Sequence, residues 1–188
     1  RDDQKLTSGK SKSLPDRGPR LQTMSAAEGS TGHFSKKYGY AFLLAIVVLA
    51  IFLRVYDIGA KDVWLDEANT VLIAENGPSG IVTRLVDDAS PPLFYFLLHG
   101  WMDAFGQTEA ALRSLSALFG ILLVIAVYFF GRGIFSEKVG VYAALIASIA
   151  PIQVMYSQQL RMYTLLPLTA LLSMYCLLRF IREGKLSS

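Results

Sequence analysis

Residues 38–56 read YGYAFLLAIVVLAIFLRVY, an apolar stretch whose one charged residue is Arg54. A helix of about 20 apolar residues covers the roughly 30 Å of hydrocarbon in a bilayer. The stretch therefore reads as a membrane span, opened by Lys36 and Lys37. Working outward, Ser114–Gly131, Val139–Tyr156 and Met162–Leu178 repeat the pattern. The last is close to the lower limit of about 17 residues, so its neighbours are expected to help accommodate it. The predicted fold is an all-α membrane protein with four transmembrane helices. Pro91–Phe105 is shorter, opens with Pro-Pro and carries His99 and Asp103. It reads as a helix at the interface or packed against the bundle.

Composition agrees. Of the 188 residues, 53% are hydrophobic and 18% charged, too apolar and too sparsely charged for an ordinary soluble domain. The lone Cys176 lies in an apolar run, which excludes an intrachain disulfide. Residues 1–36 have few apolar clusters and are expected to be a disordered basic tail, because they cannot bury enough surface to offset ordering entropy. The first residue is Arg1, so a fragment, a processed chain or an upstream extension is expected, with Met24 as an alternative start. A signal peptide is not expected: the apolar stretch lies far from the terminus, and Arg54-Val55-Tyr56 is a poor cleavage site. Phosphate-binding glycine loop, nucleophile elbow and His/Cys metal cluster are all absent from the sequence, and Gly131-Arg-Gly133 is too short for a nucleotide fingerprint. No nucleic-acid partner is expected.

Charge sets the expected topology, since Lys and Arg collect on cytoplasmic flanks. Eight precede the first span, Arg132 and Lys138 flank the 132–138 connection, and Arg179, Arg182 and Lys185 follow the last span. Four spans put all three groups on one side, with both ends cytoplasmic. The opposite side then holds the 157–161 turn and a loop over residues 57–112. Within residues 57–110 nine carboxylates (Asp57, Asp62, Asp66, Glu67, Glu75, Asp87, Asp88, Asp103, Glu109) face Lys61 and Arg84. A fifth span at Pro91–Phe105 would move the 132–138 connection outside, against the rule. The basic tail serves equally well as an orientation signal or as a contact for anionic headgroups.

So long a loop is usually functional. Its apolar spacing predicts helices at Asp66–Asn76, with Ala68, Val71 and Leu72 on one face, and at Ser79–Asp87, with Ile81, Val82, Leu85 and Val86 on one stripe. Pro91–Phe105 carries Leu93, Leu97, Leu98, Trp101, Met102 and Phe105 in the same register. Asp62 or Asp66 is expected to cap the first helix, and all three suit a membrane surface. The pairs Asp66-Glu67 and Asp87-Asp88 suit a general base at the bilayer edge. They suit a solvated acidic loop even better on composition alone. Arg161, with Tyr163 beside it, suits a phosphate held by paired hydrogen bonds and, equally, an interfacial anchor. His99 reads as a packing residue. The paired carboxylates leave a weakly held divalent cation open.

The chain resembles the N-terminal part of a type C membrane glycosyltransferase, on the branch of protein O-mannosyltransferases and the lipid A aminoarabinose transferase. The resemblance covers residues 40–180 and rests on blocks in order. These are Phe52-Leu-Arg54-Val-Tyr56; Val63-Trp64-Leu65-Asp66-Glu67-Ala68; and Asp88-Ala-Ser-Pro91-Pro92-Leu93-Phe94-Tyr95. They continue with Ala111-Leu-Arg113-Ser-Leu-Ser-Ala117-Leu-Phe-Gly120 and Tyr156-Ser-Gln158-Gln-Leu-Arg161-Met-Tyr163. Where many relatives carry His before the Pro-Pro pair, this chain has Ser90.

The resemblance implies transfer of a sugar from a polyprenyl-phosphate carrier to a lipid, glycan or protein acceptor outside the cytoplasm, in a multi-pass protein of the cell membrane. It implies Asp66 as catalytic base with Glu67 beside it, Arg161 and Tyr163 at the lipid phosphate, and Asp88 in the sugar or acceptor site. It implies further spans as well, so that residues 37–188 form the N-terminal part of the enzyme and part of the donor cavity lies beyond them. The alternative is a non-catalytic lipid-binding or scaffold subunit. A transporter is less favoured, since the spans show neither buried carboxylates nor broken helices.

Overall fold

A computed structural model of the protein describes residues 36–60, 64–86 and 90–184. The first apolar stretch forms α1, Lys36–Val55. The loop forms α2 (Leu65–Ala74), α3 (Gly77–Leu85) and α4 (Pro92–Phe105). Then follow α5 (Glu109–Ile134), α6 (Glu137–Ile149), α7 (Pro151–Ser157) and α8 (Leu165–Gly184). The described residues contain no strand, and the fold is an all-α membrane protein. Three helices, α1, α5 and α8, are long and apolar enough to cross a membrane, and α6 with α7 makes a fourth crossing if the bent pair counts as one.

The expected Val139–Tyr156 span is therefore not one straight helix. It bends by 61° between Ile149 and Pro151. Proline has no N–H for the helical ladder and pushes the residue before it out of the α region; Ala150 accordingly sits at φ −58°, ψ 118°. The expectation of unbroken spans is corrected by this proline. The fourth span also shifts, from Met162–Leu178 to Leu165–Gly184. Thr164 Oγ1 donates to Ser116 O at 3.1 Å, and Ser116 Oγ donates to Arg161 O at 3.3 Å. These bonds tie the preceding residues to α5 and hold them as a turn.

Helix α5 is the centre of the bundle. It packs against α1, α4, α6, α7 and α8, and Leu112, Leu115, Phe119 and Leu123 join Phe94, Leu98, Leu160 and Leu168 in one core. A second core of Ile46, Ala50, Val124, Tyr128 and Ala144 joins α1, α5 and α6. Helices α5 and α6 touch through glycine. A Cβ on Gly131 would come within 3.0 Å of Gly140 Cα, and one on Gly140 within 2.6 Å of Tyr128 O. Small residues permit such close approach in membranes.

The loop helices carry their own small core of Ile73, Ile81, Leu85 and Tyr95. Their faces differ from the expected ones. The buried side of α2 is Glu67, Thr70, Ile73 and Ala74, while Leu72 is exposed. On α3, Ile81 and Leu85 are buried but Val82 and Val86 are exposed. Helix α4 buries Phe94, Tyr95, Leu98 and Met102 and leaves Leu93, Leu97 and Phe105 exposed. Apolar spacing misplaced the face of α2 because its anchor is a paired carboxylate. With 14 residues, α4 reaches about 21 Å, too short to cross.

Candidate active site

The first turn of α2 is built around Glu67. Trp64 N–H donates to Glu67 Oε2 at 3.3 Å, so this carboxylate, not Asp66, caps the helix start. Asp62, the other expected cap, lies outside the described residues. From α5, Arg113 donates to Glu67 through Nε at 3.2 Å and Nη2 at 2.7 Å, a two-pronged contact that suits a planar guanidinium. Arg113 Nη1 also donates to Ile58 O at 3.1 Å. The Leu160 N–H, in the turn after α7, donates to Glu67 Oε1 at 2.7 Å. Both side chains are about 95% buried. Removing two charges from water is costly, and a buried pair persists only when further hydrogen bonds satisfy it; Ile58 O, Trp64 N–H and Leu160 N–H do so here. Burial pushes the Glu67 carboxyl up, but Arg113 and the Leu160 and Trp64 amides outweigh it and leave its pKa below the ordinary value.

Glu67 thereby locks three segments together: the start of α2, the start of α5 and the turn before α8. What they jointly present is a cleft of about 220 Å³ whose lining includes Trp64, Asp66, Tyr156, Gln159, Arg161 and Tyr163. The Asp66 carboxylate stands 3.9 Å from Arg161 Nη2; the aspartate is 76% exposed and the arginine 22%. Neighbours in sequence on the first turn of one helix, Asp66 and Glu67 thus differ in surroundings, the first exposed and the second buried. Arg161 Nη1 reaches Thr70 Oγ1 at 3.5 Å, and its buried Nε has no hydrogen-bond partner among the described residues. Its guanidinium carbon lies 5.7 Å from the centre of the Tyr163 ring, and the Tyr163 and Tyr156 rings are 4.8 Å apart. Burial works against the charged guanidinium, yet Tyr163 and Asp66 outweigh it, and the pKa of Arg161 is raised. A cation fixed over an aromatic face, with donors to spare, suits an anionic ligand.

A larger cleft, about 440 Å³, also touches Glu67 and is lined mainly by apolar residues such as Val71, Leu72, Leu112 and Leu160. The smaller one holds the exposed acid and base chemistry, and that decides between them.

Of the residues singled out in the sequence, Asp66, Arg161 and Tyr163 meet in this one cleft. Glu67 lines it too, but its oxygens are taken by Arg113 and two backbone amides. Asp88 lies outside the described residues. His99 Nδ1 meets Ala74 O at 2.8 Å, a packing contact between α4 and α2. Among the described residues there is no group of three or more His, Cys, Asp and Glu that could hold a metal ion. Sequence reading passed over Arg113 and Arg54. The available signal was a single basic residue near the end of the first apolar stretch and another just before the second; such a residue must find a partner when buried in a membrane helix.

Bundle and cleft together define a polytopic membrane protein with an aspartate and an arginine facing one another in a cleft at one end of its helices. The family model of dolichyl-phosphate-mannose-protein mannosyltransferases matches residues 89–188, and the chain belongs to that family. It is an integral membrane protein and a membrane glycosyltransferase. The matched segment includes Arg113, Arg161 and Tyr163; Asp66 and Glu67 precede it. No curated protein and no solved structure matches the chain.

Proposed function

We propose that the protein takes a sugar from a polyprenyl-phosphate donor and passes it to an acceptor hydroxyl on the non-cytoplasmic face of the membrane. The observation that carries this reading is the shared cleft: an exposed Asp66 carboxylate 3.9 Å from the Arg161 guanidinium. The sugar is mannose or another hexose or pentose, and the acceptor a lipid, a glycan or a protein. Residues 37–188 form the N-terminal part of the transferase domain.

In the proposed reaction Asp66 takes the proton of the acceptor hydroxyl as its oxygen attacks the anomeric carbon. The bond from that carbon to the phosphate oxygen breaks, and the electron pair leaves with the polyprenyl phosphate. Arg161 stabilises the charge that gathers there, in an electrostatic role, and Tyr163 packs against its guanidinium. Glu67 acts as a positioning residue that holds Asp66 and the Arg161 turn in register. Asp88 contributes to the sugar or acceptor site. A donor of this kind suits the fold, because its prenyl chain stays in the bilayer while phosphate and sugar meet the loop.

In the full-length protein, Asp66→Asn should lower sugar transfer from a polyprenyl-phosphate donor by roughly 10²–10⁴-fold, the range of one general base. Full retained transfer would overturn the assignment. Arg161→Ala should weaken donor use more than acceptor use; equal losses would argue against a phosphate role. For orientation, Phe135→Cys in a Cys176→Ser background should react with an impermeant thiol reagent only after permeabilisation. Labelling from outside would reverse the proposed topology.

A further inference from the structure

Helix α6 ends where position 151 is proline, so the amide that would bond Ala147 O is missing. A backbone acceptor freed inside a membrane bundle must be satisfied by a neighbour. Here the neighbour is Arg54, which is fully buried. Its Nη2 donates to Ala147 O at 3.3 Å and its Nη1 to Ser148 O at 3.1 Å, both in the last turn of α6. Across the break, its Nε donates to Ser157 Oγ at 3.1 Å, at the end of α7. The next residue is held too: Gln158 Nε2 donates to Leu53 O at 3.2 Å and Tyr56 O at 3.0 Å. The last turn of α1 therefore grips both halves of the broken segment and the first residue of the turn that carries Arg161. Gly120 leaves the space, since a Cβ there would lie 2.1 Å from Ser157 Oγ and 2.9 Å from Arg54 Nε.

We propose that Arg54 is a positioning residue for donor binding: by clasping the break at Pro151 to α1, it sets the 158–164 turn so that Arg161 meets Asp66. Arg54 does not line the cleft, so it acts through the turn that carries Arg161. The proposal rests on the assignment of Arg161 to the donor phosphate.

The test is a double-mutant cycle in the full-length protein in native membranes, with a polyprenyl-phosphate sugar as donor. Arg54→Gln should raise the donor KM about tenfold, the scale of one lost hydrogen bond to a charged group, and leave the acceptor KM unchanged. Ser157→Ala, which removes one contact of the clasp, should move the same parameter about threefold. On an Arg161→Ala background either substitution should add nothing, because coupled residues are not additive. A full extra loss in the double variant overturns the proposal, and so does an equal rise in both KM values. If Arg54→Gln does not accumulate in the membrane, the cycle with Ser157→Ala decides. If Arg161→Ala itself leaves the donor KM unchanged, the phosphate assignment fails, and amide hydrogen exchange at Leu160 and Arg161 then tests the clasp separately. Faster exchange in Ser157→Ala supports it; unchanged exchange overturns it.

Discussion

At one end of α5, Arg113 meets Glu67 at 2.7 Å; toward the other end, Arg132 meets Glu137 at 2.8 Å. The two arginines are separated by about 28 Å of helix. Both pairs have further partners. Tyr128 donates its hydroxyl to Glu137 Oε1 at 2.5 Å, and the Arg132 guanidinium lies 4.9 Å from the Tyr40 ring. The difference is in what each pair joins. Arg132 and Glu137 are five positions apart and close the α5–α6 hairpin, where Ser136 Oγ accepts from Val139 N–H at 3.4 Å and glycines of the two helices meet. Glu67 and Arg113 are 46 positions apart, and the Leu160 amide on the same carboxylate is 93 away. The local pair fastens a turn between two helices adjacent in sequence. The long-range pair brings three remote segments together, and the Asp66–Arg161 cleft exists only where those segments meet. Similar bonds thus serve a hairpin at one end and a site at the other.

Breaking the long-range pair should have the largest effect. Glu67→Gln takes the close, two-pronged counter-charge from buried Arg113, leaving the Glu109 carboxylate at 4.0 Å, and should cost about 3 kcal/mol, read as earlier thermal unfolding in detergent and proteolysis of the 57–112 loop. Replacing both partners, Glu67→Leu with Arg113→Met, should restore much of that stability, since apolar replacements of buried pairs are often tolerated, without restoring transfer. If transfer returned as well, the pair would not be what registers the cleft.

Acidification should expose the same asymmetry. The Glu67 pKa in the folded protein is below its ordinary value of 4.5, so its contribution to stability is complete above that value. It is lost as pH falls through the lowered folded-state value. Hydrogen exchange at the Leu160 amide should rise in that acid range before amides in the middle of α5 respond. A Leu160 amide that stays protected while the carboxylate protonates would contradict the clamp.

At the hairpin end, Glu137→Gln keeps a polar acceptor near Tyr128 and Arg132 and should cost about 1–2 kcal/mol, with transfer little changed. A loss equal to that of Glu67→Gln would erase the contrast. The smallest stability effect belongs to Asp66→Asn. Among the described residues its exposed side chain has the 3.9 Å contact with Arg161 alone, so unfolding should shift by no more than about 0.5 kcal/mol while transfer collapses. A large shift would mean that Asp66 is framework like its neighbour.

Much of the fold was legible in the sequence because membrane insertion depends on apolar length, a property of the local chain. The α1 stretch, the start and end regions of α5 and the short α4 could all be read in this way. Apolar length says nothing about straightness, however, and Pro151 broke a segment that hydropathy had joined. The site was legible in part. Asp66, Arg161 and Tyr163 stood out as polar groups in the loop and turn that line the candidate cleft, but composition could not separate Asp66 from eight other carboxylates in residues 57–110.

By itself, then, the sequence determined an all-helical membrane protein with one acidic loop and a basic residue at each critical boundary. Only the tertiary structure decided which of two adjacent acids is buried and which is free. The reason is that burial of a carboxylate depends on the arrival of Arg113 and the Leu160 amide from remote positions, and no local pattern encodes such a meeting. The same holds for Arg54, one charge in an apolar run whose role emerges only where Ala147, Ser148 and Ser157 converge on it.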